Sequence, residues 1–266
     1  MTSGKARSAI VVLSMLSLLL PTSAGLGVDG AVFWGTVSPG EKIVHEMTVS
    51  IGTNASPLDL EAEVYGFGMS TYTDYLLLDP EEDVSPYSAR KFLTIEPKSF
   101  QVEPGIPQKV LITGTIPEDV GEGGRYALAA IKSMPNTSGN VGVSTQIQIP
   151  ILLTIRDTKL VQTGEITGLN VSVNNEGINV DLMFDNTGNY HYKAIADAVL
   201  KDEAGTIIAT TSPKQSPSSI LPTFSCLFKM DLVPESDLSP GTYTVEARVT
   251  HENGAVLDTK VATIEV

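Results

Sequence analysis

The chain has 266 residues, 42% of them hydrophobic and 18% charged, which excludes a low-complexity or polar disordered chain. Its formal net charge of −14 excludes nucleic acid and anionic membrane surfaces as main partners, because both demand clustered lysine and arginine. The single cysteine, Cys226, leaves no internal disulfide, so stability must come from ordinary cores, or from glycans and partners.

In chain order, the first expected element is a secretory signal over residues 1–24. An apolar block at 9–20, AIVVLSMLSLLL, follows Lys5 and Arg7, and TSA ends at Ala24. The block is too short to span a membrane, and no other apolar stretch of spanning length occurs, so an exported chain without a transmembrane segment is expected from Gly25. Sequons at Asn54, Asn136 and Asn170 are candidate glycosylation sites.

Strict alternation then recurs. Ile43, His45, Met47, Val49 and Ile51 share one face, and Leu58, Leu60, Ala62 and Val64 alternate with Asp59, Glu61, Glu63 and Tyr65. The same period of two returns at 109–116, 126–131, 143–149, 178–184, 206–210, 228–232, 243–249 and 255–266, and predicts half-buried strands. The turn sequences NNEG, KDEAG and HENG punctuate these runs, and no stretch offers a capped 3.6-residue stripe. The stretch GEGGRYALAAI at 121–131 could suggest a phosphate loop, but a strand rather than a helix follows it. PEDVGEGGRYALAA from Pro117 and PESDLSPGTYTVEA from Pro234 repeat one corner. Gly124 and Gly241 are therefore expected as equivalent corner glycines, and Tyr126 and Tyr243 as equivalent corner tyrosines whose hydroxyls bond back to the turn. Two corners imply an all-β chain of two immunoglobulin-like sandwiches in tandem after the signal, over residues 25–157 and 158–266.

The order of VSPGEK, FLTIEPKSFQVEPGIPQKV, the Gly-Arg-Tyr corner and VSTQIQIPILLTI resembles the PapD-like immunoglobulin fold of periplasmic pilus chaperones. FDNTGNYHYKAIADAVLKDEAG resembles the immunoglobulin-like domains of secreted and cell-wall proteins, including WxL-interacting surface proteins. The chaperone resemblance implies a long last strand that donates alternating apolar side chains, matched by Ile147, Ile149 and Ile151. It also implies basic residues deep in an interdomain cleft. Here Arg156 stands only at the end of IPILLTIRD, so no such residue is carried over, and Pro150 removes a ladder donor midway.

No serine elbow accompanies the three histidines, so no catalytic residue, cofactor or metal is expected and the chain is read as non-enzymatic. His45 reads as a structural, hydrogen-bonded histidine and Cys226 as a small buried hydrophobe. His191, with Asn186 and Asn189, and His251, with Glu252, are expected at one pole of the second sandwich. The acidic run DPEED at 79–83 lacks the alternation and glycine of a calcium loop. Around it lie Tyr72, Tyr75, Leu76, Leu77, Leu78 and Tyr87, which could form a recognition surface or fold back as a lid. Candidate partner-binding residues are therefore Tyr75, Leu76, Leu77, Tyr87, His191 and His251. Two readings follow. The first is a secreted, non-catalytic cell-surface or envelope protein that binds a protein or envelope polymer through these loops. The alternative is a periplasmic-chaperone-like protein that assists assembly of surface structures by strand donation from 143–155.

Overall fold

The computed structural model describes residues 25–134, 144–174 and 177–266. The expected signal and the sequon at Asn136 lie outside them. The regular elements of the described residues are all β-strands, apart from one short 3-10 helix, Arg90–Phe92.

Ten strands build the first sandwich: β1 (Leu26–Asp29), β2 (Phe33–Val37), β3 (Lys42–Ile51), β4 (Leu58–Met69), β5 (Tyr75–Leu78), β6 (Leu93–Glu96), β7 (Ser99–Val102), β8 (Gln108–Thr115), β9 (Gly124–Ser133) and β10 (Gln146–Ile155). One sheet has the order β1-β3-β8-β6 and the other β2-β10-β9-β4-β5, with β7 added to the start of β4. The second sandwich comprises β11 (Gly164–Asn174), β12 (Gly177–Asn186), β13 (Ala194–Lys201), β14 (Ile207–Thr210), β15 (Lys214–Gln215), β16 (Ser225–Leu232), β17 (Thr242–His251) and β18 (Val256–Glu265). Its sheets run β11-β12-β16 and β14-β13-β17-β18, with β15 on β13.

The alternation in the sequence becomes two cores. In β3, Ile43, Met47, Val49 and Ile51 are buried and face Ile149, Ile151, Leu153 and Ile155 of β10 within one cluster. In β12 and β16, Ile178, Val180, Leu182, Phe184, Phe228 and Met230 form the other with Val245, Ala247 and Val249 of β17. Burying one such large side chain stabilises the fold by about 1.5–3 kcal/mol. Cys226 belongs to this second core, where burial pushes its thiol up to about 11 and keeps it protonated at neutral pH.

The first chain segment changes sheets, and this decides the edge of the molecule. β1 pairs with β3, the chain turns at Gly30 (φ 76), and β2 then pairs in parallel with β10. A Cβ on Gly30 would lie 2.9 Å from the Glu46 carbonyl oxygen, so glycine is required. The turn is pinned by His45, whose Nε2 bonds the Gly30 carbonyl at 2.7 Å while its ring stacks on Phe33 at 4.4 Å. His45 is thus the structural histidine that its sequence position implied.

The two corners differ in detail. Positive φ falls at Gly121 (77) and Gly123 (87), not at the expected Gly124, and Gly241 has no such φ. The first turn is tied by Arg125, which is 5% exposed and donates from Nη1 to the carbonyls of Glu122 and Gly124 and from Nη2 to that of Val120. A guanidinium so engaged, in a turn that leads into β9, cannot also cradle a phosphate. The Tyr243 hydroxyl donates to Ser239 O at 3.0 Å, the expected corner bond. Tyr126 does not bond its own turn; its hydroxyl meets His191 of the second sandwich.

Candidate functional site

The outer face of the β2-β10-β9-β4-β5 sheet is where the sandwiches meet. Phe67 and Met69 of β4 and Tyr126 and Leu128 of β9 are buried there against Leu221, with Leu77, Tyr87, Leu152 and Phe224 around them. Period two puts these residues on the face opposite the first core, so an apolar outer face requires a cover. The turn leading into β16, with Leu221 and Phe224, supplies it from one side, and the loop after β4 from the other. Leu227 N–H donates to Thr71 O at 2.8 Å, and Ser218 N–H donates to the Thr73 hydroxyl at 3.1 Å. Thr73 itself is 3% exposed.

Polar contacts lock the junction. Asn186, 1% exposed, donates from Nδ2 to Tyr190 O (3.0 Å) and Ile220 O (2.8 Å) and accepts from Gly188 N–H (2.9 Å). Asn189 accepts Gly124 N–H through its backbone carbonyl and Val161 N–H through Oδ1, joining the first corner to the linker. The Tyr126 hydroxyl accepts His191 N–H at 3.1 Å and is 3.1 Å from His191 Nδ1. With the backbone N–H already on one of its lone pairs, the hydroxyl can still donate to Nδ1 of a neutral imidazole protonated at Nε2. Burial holds His191 near 4, well below its ordinary range, and raises Tyr126.

A pH dependence follows. His191 titrates lower in the folded chain than in the unfolded one, where its pKa is near 6.5. Its contribution is therefore complete above about pH 6.5 and is lost as pH falls toward about 4. After discounting for the ring's partial exposure, about 1–2 kcal/mol is expected between these limits. Melting of the native chain and of His191→Gln at pH 7 and 4.5 checks this: the drop should be smaller in the variant, and equal drops would assign it to other groups.

The expected partner-binding residues are distributed unevenly. Leu77 and Tyr87 pack into the junction, and Tyr87 O accepts Tyr126 N–H at 2.8 Å while Ala89 N–H donates to Tyr126 O, so residues 87–89 pair alongside the start of β9. His191 and His251 do share a pole, since Ala194 pairs with His251. They are not brought together: His191 packs on Tyr126 and Tyr190, whereas His251 is buried 5.5 Å from the Tyr192 ring and accepts Asn253 N–H. Successive residues of an extended chain point opposite ways, which separates the two sites. Only Tyr75 (36%) and Leu76 (45%) stay outward. The acidic run is likewise partly internal, with Asp83 buried against Arg90 at 3.0 Å and Ser88 at 2.6 Å. No group of metal-ligating side chains occurs among the described residues. Asn54 and Asn170 are exposed.

Two features near the junction bear on partner binding. The first is half of β10. Ile155 N–H donates to Gly123 O in β9's direction and Arg156 N–H to Val37 O in β2's, so odd residues of β10 bond β9 and even ones face the other way. On that other side β2 covers only Ile151 to Ile155. Among the described residues no strand pairs with the outward backbone groups of Gln146 and Gln148, whereas the Pro150 carbonyl already lies at the start of the β2 ladder. Pro150 places its missing donor on this edge and takes nothing from the β9 ladder, which resolves how a proline sits mid-strand. The second feature is a cleft of ≈ 360 Å³ between the sandwiches, lined by Trp34, Thr36, Leu152, Thr154, Tyr190 and His191. Trp34 is 74% exposed. Sequence reasoning does not single it out; its signal is the inward pair Phe33 and Val37, which turns Trp34 outward. Arg156 is directed elsewhere, to the Ser38 hydroxyl (3.2 Å) and Thr36 O (3.4 Å).

No helix among the described residues is long and apolar enough to cross a membrane. No family model and no curated protein matches the chain. Among solved structures it is similar to the Escherichia coli chaperone DraB (13% identity, 91% of this chain and 98% of that one, TM-score 0.41). It is similar also to the Salmonella enterica SafA pilin in complex with the SafB chaperone (11% identity, 91% and 97%, TM-score 0.42) and to a Porphyromonas gingivalis protein of unknown function (14%, 91% and 99%, TM-score 0.33).

Proposed function

We propose that this is an exported, non-catalytic, chaperone-like protein that holds an extended segment of a partner protein as an added strand beside β10. Residues 25–157 form the capturing domain and residues 158–266 a buttress fixed to it. The observation that carries this reading is the half-covered β10, whose edge at Gln146 and Gln148 offers backbone groups while its odd residues stay bonded to β9. An extended peptide gains main-chain hydrogen bonds at such an edge, and side-chain pockets add selectivity. Ile149 and Ile151 are wholly buried in their own core, so what β10 lends is backbone rather than apolar side chains. The reading in which loop residues Tyr75 and Leu76 bind the partner competes with it and is separable by experiment.

Gln148→Pro deletes one N–H on the open edge and none in the β9 ladder, and Pro150 already occupies the equivalent position two residues on. The variant should fold normally yet bind its envelope partner about tenfold more weakly or worse. A photoreactive side chain at Gln148 and another at Leu76, in full chain exported by its native cells, provide the readout. Crosslinks from 148 that Gln148→Pro abolishes support strand addition. Crosslinks from 76 alone, unaffected by Gln148→Pro, transfer the binding to the loop.

A further inference from the structure

Trp34 is the single tryptophan of the chain and stands 74% exposed on the wall of the cleft between the sandwiches. Around it the polar lining consists of the Thr36, Thr154 and Tyr190 hydroxyls and the His191 imidazole. None of these carries a charge at neutral pH, since burial keeps His191 neutral. The geometry is set before any ligand arrives. The Tyr190 hydroxyl lies 3.2 Å from Thr154 Oγ1, the Tyr190 ring rests on His191 at 4.3 Å, and Asn186 holds the Tyr190 carbonyl at 3.0 Å. Such pre-organisation lowers the cost of binding.

The chemistry of the lining discriminates among ligands. No cation is among the lining residues, and the bordering Arg156 guanidinium is occupied by the Ser38 hydroxyl and the Thr36 carbonyl, while the whole chain is strongly negative, which disfavours an anion. A wholly apolar ligand would strip water from the hydroxyls and imidazole without replacing their hydrogen bonds. A peptide strand would need free backbone; at this height Leu152 and Thr154 are paired with β2, and on the short outer edge of β2 the Thr36 carbonyl already accepts from Arg156. A ring with a flat C–H face and a rim of hydroxyls fits every group present: the face covers the indole, and the rim exchanges hydrogen bonds with groups that both donate and accept.

We propose that this cleft is a binding site for a neutral saccharide, with Trp34 as the stacking platform and Thr36, Thr154, Tyr190 and His191 as the hydroxyl-reading groups. The site is separate from the β10 edge and does not depend on strand capture.

Because Trp34 is the only tryptophan, its emission reports on the cleft alone. The full exported chain is titrated with cellohexaose, mannohexaose, maltohexaose and chitohexaose, and with polygalacturonate as the charged control. At least one neutral hexasaccharide should shift the emission saturably below about 10 mM, the weak end of specific affinities. By calorimetry, Trp34→Ala should weaken that binding about tenfold or more, as expected for an aromatic anchor, while melting stays unchanged because the side chain is exposed. Thr154→Val should weaken it to a smaller degree. The proposal is overturned if none of the four sugars moves the emission, if binding survives in Trp34→Ala, or if polygalacturonate binds as well as they do. Persistence of sugar binding in Gln148→Pro keeps this test independent of the strand-addition reading.

Discussion

Gly123→Val is expected to cost about 3–5 kcal/mol of stability, whereas Gly241→Val should cost less than about 1 kcal/mol. The two residues lie in corners that the repeated Pro-to-Tyr motif makes equivalent, so the contrast is a direct measure of tertiary context. Gly123 holds a φ of +87, where a side chain is strained by about 1–2 kcal/mol or more. A Cβ there would sit 2.2 Å from the backbone oxygen of Asn189, which cannot swing away as the end of a side chain could. Displacing Asn189 would break its bond from Gly124 N–H and disturb its hold on Val161 at the linker. Gly241 has no left-handed φ and nothing within 4 Å of its Cβ position. Chemical denaturation gives the two costs, and small-angle scattering of the folded variants should show an enlarged radius for Gly123→Val only. Equal costs would mean that the junction does not depend on this corner.

Tyr126→Ala should be comparably damaging, at about 4 kcal/mol, and Tyr243→Ala milder, at about 1–2 kcal/mol. The Tyr126 ring is 3% exposed and packs in the junction cluster with Phe67, Met69, Leu128 and Leu221. Removing it opens a cavity and strands the His191 N–H and ring nitrogen that its hydroxyl satisfied. Tyr126→Phe separates these effects: it keeps the ring and should lose only about 1–3 kcal/mol from the unsatisfied groups. Tyr243 is half-buried beside the second core and makes one bond, to Ser239 O. Thermal and urea unfolding of the three variants, with proteolysis at residues 156–161 as a probe of the linker, provides the test. Equal losses at 126 and 243 would reduce Tyr126 to an ordinary corner residue and remove its role between the sandwiches.

Much of this architecture is legible locally. Alternation of Ile43, Met47, Val49 and Ile51, or of Ile178, Val180, Leu182 and Phe184, is a property of consecutive residues. A period of two needs only one buried face to declare itself. The corner repeat announces two similar units for the same reason. The candidate site was less legible. Leu77 and Tyr87 look like a recognition surface in a linear reading because exposure is inferred from neighbours in sequence. They are instead partly buried in a cluster with Tyr126 and Leu128 that Leu221 and Phe224, more than 100 residues away, complete.

What the sequence by itself determined is the all-β class, the strand faces and the structural roles of His45 and Cys226, since each follows from side-chain periodicity and composition. Tertiary structure alone decided the rest. It turned Tyr126 from its own corner toward His191 and divided His191 from His251. It carried the first segment from β1 to β2 at Gly30, so that half of β10 lost its cover, and it set Trp34 beside Tyr190 across the junction. Each of these depends on which surfaces meet after both cores have formed, and such pairings arise from shape and hydrogen-bond complementarity between distant segments that no local pattern encodes.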